Sequence, residues 1–178
     1  MRDLCYLHGF VERHNSDPRT EKYVAFYANQ PTPDDECTAF KEAWDYIQLC
    51  QPCVIYYYSP YERTTWRKLQ KRHPDVMSKV DLENIFSTDV AVDLYLDVVK
   101  SKTEWPINDD SIKTLATYLG FKWRDKEPSG AASIEWYHRW AQTGDVTIRQ
   151  RILNYNEDDC VAMRVLLDAI QRLSVIKF

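Results

Sequence analysis

The last third of the chain is governed by one long helical pattern. Ile152, Tyr155, Asp159, Met163, Leu166, Ile170 and Leu173 follow one another at steps of three or four, so they share one stripe of a helix. The spacing predicts a helix over about Ile148 to Leu173 that must bury this stripe against the rest of the chain. Asp159 interrupts it. An ionised carboxylate turned toward protein costs several kcal/mol unless a cation, donors or a raised pKa compensate it, as for other buried charges of about that order. Tyr155 lies one turn upstream, roughly 6 Å along the helix axis. The pair suggests a metal-binding carboxylate with a phenol beside it.

The remainder limits what such a site can serve. At 178 residues, with 44% apolar content, the chain fits one domain spanning 1–178 with a single sizeable core. A formal charge of −4 argues against general attraction to nucleic acid over the whole surface, so a polyanion must meet a local site or a bound cation. No run approaches the roughly 18 apolar residues of a membrane span, and no secretory signal pattern opens the sequence. The expectation is a cytoplasmic protein with no membrane partner. Five cysteines, at 5, 37, 50, 53 and 160, fit reduced thiols better than a disulfide framework. Cys50 and Cys53 have the spacing of half a zinc site or a redox pair. No second ligand pair matches them, and they close a helix rather than open one, which favours ordinary packing cysteines.

Strands come early and helices late, with no repeat or linker between two domains. Leu4 to Val11 and Tyr23 to Ala28 read as paired strands separated by the polar turn Glu12 to Lys22. A helix is predicted from Pro31–Asp35 to about Leu49, with Phe40, Ala43, Trp44 and Ile47 on one side. Cys53 to Tyr58, a continuous apolar run, reads as a central strand covered on both faces. Tyr61 to Arg72 follows as a helix, and further helices are expected around Leu82 to Phe86, after Asp110–Ser111 and from Ser133 through Trp140. Val90 to Val99 is either strand or helix. Tyr58-Ser59-Pro60-Tyr61-Glu62 puts an acid at the start of a helix just past a strand, a usual place for site residues in open α/β sheets, and makes Glu62 a second candidate ligand.

With both motifs in view, the chain resembles the RNase H-like exonucleases of the DEDD class, tyrosine subtype, and within them the YprB-like domains. One motif of that class is Asn-x-x-(Phe/Tyr)-Asp after a strand; Tyr58 to Glu62 matches it with Tyr for Asn and Glu for Asp. Another is Tyr-x-x-x-Asp on the final helix, which Tyr155 to Asp159 matches fully. Val92-Asp93-Leu94 and Ser111-Ile112-Lys113, ahead of a helix ending in Leu119-Gly120, extend the likeness over essentially the whole chain. The resemblance implies an α/β, RNase H-like fold, a mixed sheet flanked by helices. It implies a metal-dependent 3′ to 5′ exonuclease acting on single-stranded ends of DNA or RNA, in a protein that can carry helicase or other nuclease domains. Asp159 and Glu62 would ligate Mg²⁺ or Mn²⁺, with two ions about 3.5–4 Å apart in a complete site. Tyr155 would orient the attacking water by hydrogen bonding, since a phenol of pKa near 10 keeps its proton at neutral pH. Asp93 would support the site from a strand end, or play a purely structural part.

The family's first motif, Asp-x-Glu on an opening strand ahead of the hairpin, has no counterpart here. Asp81-Leu82-Glu83 has the letters but follows no apolar strand. Either the first strand lies outside this sequence, which would leave the chain less stable and more prone to associate than an extended version, or the domain lacks its full metal site. The leading alternative to catalysis is therefore an inactive nucleic-acid-binding or regulatory module; a thiol or zinc protein built on Cys50 and Cys53 is weaker. Arg63, Arg67 and Lys71 recur at four-residue steps and offer a track for a nucleic-acid backbone, although a solvated charged face is the better account of them. Trp66, Trp136 and Trp140 offer stacking surfaces, yet tryptophans on amphipathic helices usually belong to the core.

Overall fold

The structure, a computed structural model, describes residues 4–127 and 129–173. Its first unit is the expected hairpin, β1 (Leu7–Glu12) antiparallel to β2 (Lys22–Tyr27), in register from Leu7 opposite Tyr27 to Glu12 opposite Lys22. The connecting turn uses Asn15 and Ser16 at positive φ, and Asp17 accepts from the Arg19 amide. Helix α1 (Pro33–Leu49) begins where Thr32 accepts from the Asp35 amide and Pro33 occupies the first turn, with Asp34, Asp35 and Glu36 favoured by the helix dipole. Its predicted face of Phe40, Ala43, Trp44 and Ile47 is buried. Glu36, also fully buried, is compensated by Arg72 at 3.0 Å, by His73 at 2.9 Å and by the Cys5 amide at 2.8 Å.

A second ribbon pairs β3 (Ile55–Tyr57) with β4 (Ala91–Asp93) in parallel. This revises the reading of Cys53 to Tyr58 as a central strand covered on both faces. Only three residues are extended in the ladder, Tyr56 stays 39% exposed, and among the described residues no ladder joins β3 to the hairpin. The resemblance expects a strand between these two ribbons. Val90 to Val99 turns out to be both alternatives in succession: β4, then a π-helical stretch Leu94–Val99 that runs into the short α4 (Lys100–Lys102).

Helix α2 (Tyr61–Arg72) follows β3 directly, and α3 (Lys79–Ile85) starts at a Ser78 cap. Ser111 caps α5 (Ile112–Tyr118) by accepting from the Thr114 amide, and Ser129 caps α6 (Gly130–Thr143) in the same way, three residues ahead of the expected start at Ser133. Gly144 ends α6 in the left-handed conformation, at φ 68°, its amide donating to the Trp140 carbonyl. Helix α7 (Val146–Arg172) is the long helix the stripe predicts.

Three apolar clusters hold these pieces together. One joins α1 and α2 to β3 and α3 through Phe40, Trp66, Leu69 and Leu82; a second seats α5 against α7 through Leu115 and Leu166; a third packs α6 on α7 and β2 through Tyr137, Ile152 and Tyr27. Trp66 is core, and Trp136 and Trp140 pack against the third cluster. The hairpin is tied to α7 by Arg13, which donates to Asp168 and Glu21, and by Arg164, which also reaches Glu21.

At one point β1 and α7 approach closely enough to exclude a side chain. A Cβ on Gly9 would lie 1.7 Å from Asn156 Oδ1, and that oxygen is already fixed by the Tyr23 hydroxyl at 2.8 Å. Gly9→Ala is expected to cost about 1–3 kcal/mol, the range of overpacked cores. In chemical denaturation the loss should be smaller in an Asn156→Ala background; strictly additive losses would show that the two elements do not meet as described.

Candidate active site

The two ends of the candidate site are fixed by separate local devices. At the β3–α2 junction, Asp93 Oδ1 accepts from the Ser59 amide at 3.0 Å, and also from the Tyr95 amide at 3.0 Å and the Leu96 amide at 3.1 Å. The buried Asp93 thus caps the stretch after β4 and pins the turn where Ser59 takes φ 77°. That pinning sets the start of α2 and hence Glu62 in its first turn. On the other side, α7 is anchored by Ile152, Ala162 and Leu166, all fully buried, and presents Tyr155 and Asp159 from the intervening turn.

Glu62 and Asp159 face one cleft of about 890 Å³, lined also by Tyr58, Tyr95, Lys113 and Met163. Sequence spacing had placed Asp159 squarely on the core-facing stripe. In the structure Asp158 is the deeper carboxylate, only 5% exposed, while Asp159 is partly buried on the cleft wall. Consecutive residues on a helix differ by about 100°, so a broad stripe can turn both inward. What separates them is Arg124, whose Nε and amide both donate to Asp158, at 2.8 and 2.7 Å, while its guanidinium also reaches Glu157 at 2.6 Å. Asp158 is neutralised in an ion pair. Asp159 receives the Trp123 indole N–H at 2.9 Å instead.

The charges at the cleft are under strain. Burial pushes the Glu62 carboxyl up from its ordinary 4.5 to about 7, with the negative charges of Asp93 and Asp159 adding to the effect. Asp159 is also raised, first by burial, with Trp123, Tyr155 and Lys113 opposing the shift and Asp158 reinforcing it. The Tyr155 phenol is raised by burial and then by Asp159, so it remains protonated at neutral pH. Cys160, buried on α7, has its thiol pushed up to about 12 by burial and then by Asp159, Glu62 and Glu157. Glu62 Oε2 is buried with no hydrogen-bond partner among the described residues.

Such an orphaned oxygen, in a cleft shared with a second acid, is what a hard divalent cation would satisfy. The donor set fits Mg²⁺ or Mn²⁺, which can be held by one or two carboxylates with water and substrate phosphates completing the shell. Among the described residues no group of three or more His, Cys, Asp or Glu side chains is arranged to hold a metal. Cys50 donates its thiol to Glu12, which also takes Lys22 and Tyr46, so that cysteine sits in a surface polar cluster by the hairpin.

Of the other sequence candidates, Arg63 and Arg67 both pair with Glu83, at 2.8 and 2.7 Å, and Lys71 is exposed on the same helix. This assigns Glu83 of the Asp81-Leu82-Glu83 triplet to an ion-pair cluster on α2 and α3. Lys113 was read only as part of a family likeness. The fold brings its ammonium to 5.5 Å from the Tyr155 ring centroid, on the wall of the cleft and within electrostatic reach of Asp159. Trp123 and Arg124 went unnoticed because they lie in the irregular segment after α5, where no periodicity marks a function. The only local sign was three successive acids, Glu157 to Asp159, which need cations or donors opposite them.

The raised Glu62 value makes a direct prediction. The folded state holds this proton between pH 4.5 and about 7 while the unfolded chain releases it, so the metal-free protein loses stability as pH rises through that window. Glu62→Gln should flatten the decline and raise the thermal midpoint at pH 8 relative to the parent. An unchanged decline in the variant would mean that Glu62 is not desolvated.

Among known proteins, a family model, RNase_H_2, described as RNase_H superfamily, matches residues 1–171. No curated protein and no solved structure gave a match. A matched span covering nearly the whole chain, with the mixed α/β architecture and an acid-lined cleft between α2 and α7, makes this chain a member of the RNase H superfamily.

Proposed function

We propose that the domain is a metal-dependent 3′ to 5′ exonuclease-like module acting on single-stranded ends of DNA or RNA. Superfamily membership points to nuclease-type chemistry on nucleic acid. The observation that carries the finer reading is the pair Glu62 and Asp159, two desolvated acids sharing one cleft, with a buried oxygen of Glu62 left without a partner among the described residues. In that reading Glu62 and Asp159 hold Mg²⁺ or Mn²⁺, which supplies positive charge to the phosphodiester oxygens. Tyr155 stays protonated and orients the attacking water as a donor. Lys113 meets the phosphate backbone at the cleft wall, where a point charge on a flexible stem suits a phosphate. Arg63, Arg67 and Lys71 lie further along α2, and the first two would have to exchange Glu83 for phosphate.

One observation favours the second reading, a non-catalytic nucleic-acid-binding or regulatory module: only two of the four acids of the resembling class come together at the cleft among the described residues. Labelled single strands separate the two. The exonuclease reading expects degradation that needs Mg²⁺ or Mn²⁺, is abolished by Asp159→Asn, and falls by about 10²-fold in Tyr155→Phe, the lower end of what positioned proton-handling groups contribute. Binding without degradation under any divalent ion would select the module. Cys50→Ser with Cys53→Ser is expected to leave degradation unchanged on the first reading and strand binding unchanged on the second, and either result would dispose of a thiol or zinc function.

Lys113→Ala should weaken strand binding and lower the slope of log affinity against log salt by about one, as for the loss of one phosphate contact. An unaltered slope would remove Lys113 from the backbone contacts.

A further inference from the structure

The segment from Phe121 to Glu127 has no regular structure, yet it is fastened to successive turns of α7. Arg124 binds Asp158, Glu157 and the Asn154 carbonyl, the last at 2.9 Å, and Asp125 takes the Arg151 guanidinium at 2.5 and 3.1 Å. Arg151 in turn stacks over the Trp136 ring, 3.8 Å from its centroid. Between these two clamps and α5 lies Trp123. Its ring meets Phe121 edge-on at 4.9 Å, and its indole N–H donates to Asp159 Oδ1.

This arrangement does more than bury an aromatic ring. The segment's Arg124 goes to Asp158 and Glu157, and its Asp125 takes Arg151 of α7, while the neighbouring Asp159 receives the neutral Trp123 donor on one oxygen. A neutral donor fixes the carboxylate plane without cancelling its charge, whereas an arginine in that place would neutralise it. Partners of this kind orient metal-binding carboxylates, and their loss typically lowers metal affinity by about 10–100-fold. We propose that Trp123 is a positioning residue for the cleft: its N–H holds Asp159 Oδ1 so that the other oxygen is presented to a divalent cation. The inference rests on the metal-site reading above and adds to it a determinant outside the two acids.

Mn²⁺ binding to the full chain without nucleic acid tests this, read by paramagnetic broadening around Asp159 and by titrated affinity, so that turnover is not needed. Trp123→Phe keeps an aromatic ring and removes only the donor. It is expected to bind Mn²⁺ about 10–100-fold more weakly than the parent. Trp123→His, which can return an N–H, should recover part of the loss. Both should keep the parent's circular dichroism, and affinity is compared among folded samples only. If Trp123→Phe binds Mn²⁺ as tightly as the parent while Asp159→Asn does not, Trp123 has no positioning role and the metal site stands. If Asp159→Asn also binds as tightly as the parent, the metal-site reading fails and this inference with it. Should Trp123→Phe fail to fold, Trp123→Leu, which also lacks the donor, takes its place: affinity about 10–100-fold below the parent supports the donor role, and affinity equal to the parent overturns it.

Discussion

The protein accepts an electrostatic conflict at one cleft, and much of the surrounding structure serves to contain it. Two carboxylates that water would keep apart and charged are brought to the same partly desolvated wall, where burial raises both and the charge of Asp159 adds to the shift of Glu62. Left to itself, such a pair would drift apart or rotate toward solvent. It stays because each acid is set by a structure that would be costly to move: Glu62 by a turn whose Ser59 amide is pinned to Asp93, itself held by the Tyr95 and Leu96 amides, and Asp159 by a helix anchored through fully buried Ile152, Ala162 and Leu166. On the proposed reading, a divalent cation is the occupant that would turn this repulsion into attraction.

The treatment of the other acids makes the contrast sharper. Glu36 is more deeply buried than either cleft acid, yet an arginine, a histidine and an amide surround it. Asp158 has Arg124, Asp168 has Arg13, and Asp125 has Arg151. Burial of an acid in this fold is matched by a guanidinium or, at Asp93, by three amide donors, as the cost of an uncompensated charge requires. Glu62 and Asp159 depart from that pattern. The cation that acts on Asp159 is the Lys113 ammonium, whose influence is outweighed by burial.

Much of the architecture could be read along the chain because it depends on local chemistry. The α1 face of Phe40, Ala43, Trp44 and Ile47, the helix start at Ser111 and the span of α7 all follow from periodicity and capping, which act within a few residues. The reading failed where pairing decides. Cys53 to Tyr58 is apolar enough for a central strand, but a strand becomes central only if partners lie on both sides, and β3 pairs only with β4 among the described residues. The stretch after Val90 was ambiguous for a related reason: Asp93, whose cap ends the strand and begins the helical turns, draws the Ser59 amide from the turn after β3 as well as amides from its own segment.

The candidate site divides in the same way. Tyr155 and Asp159 could be found from sequence because their four-residue separation on a helix is geometry that any α-helix enforces, and Glu62 because it opens a helix after a strand. Sequence therefore determined which acids stand at element positions suited to a site. Tertiary structure alone decided that Asp158 would be neutralised and Asp159 spared, because Arg124 and Trp123 are more than thirty residues away along the chain and reach α7 only after α5 has packed against it. The physical reason is range: helical periodicity and capping act over a few residues, whereas the partner that cancels or preserves a charge is chosen by whatever the folded chain carries within a few ångströms.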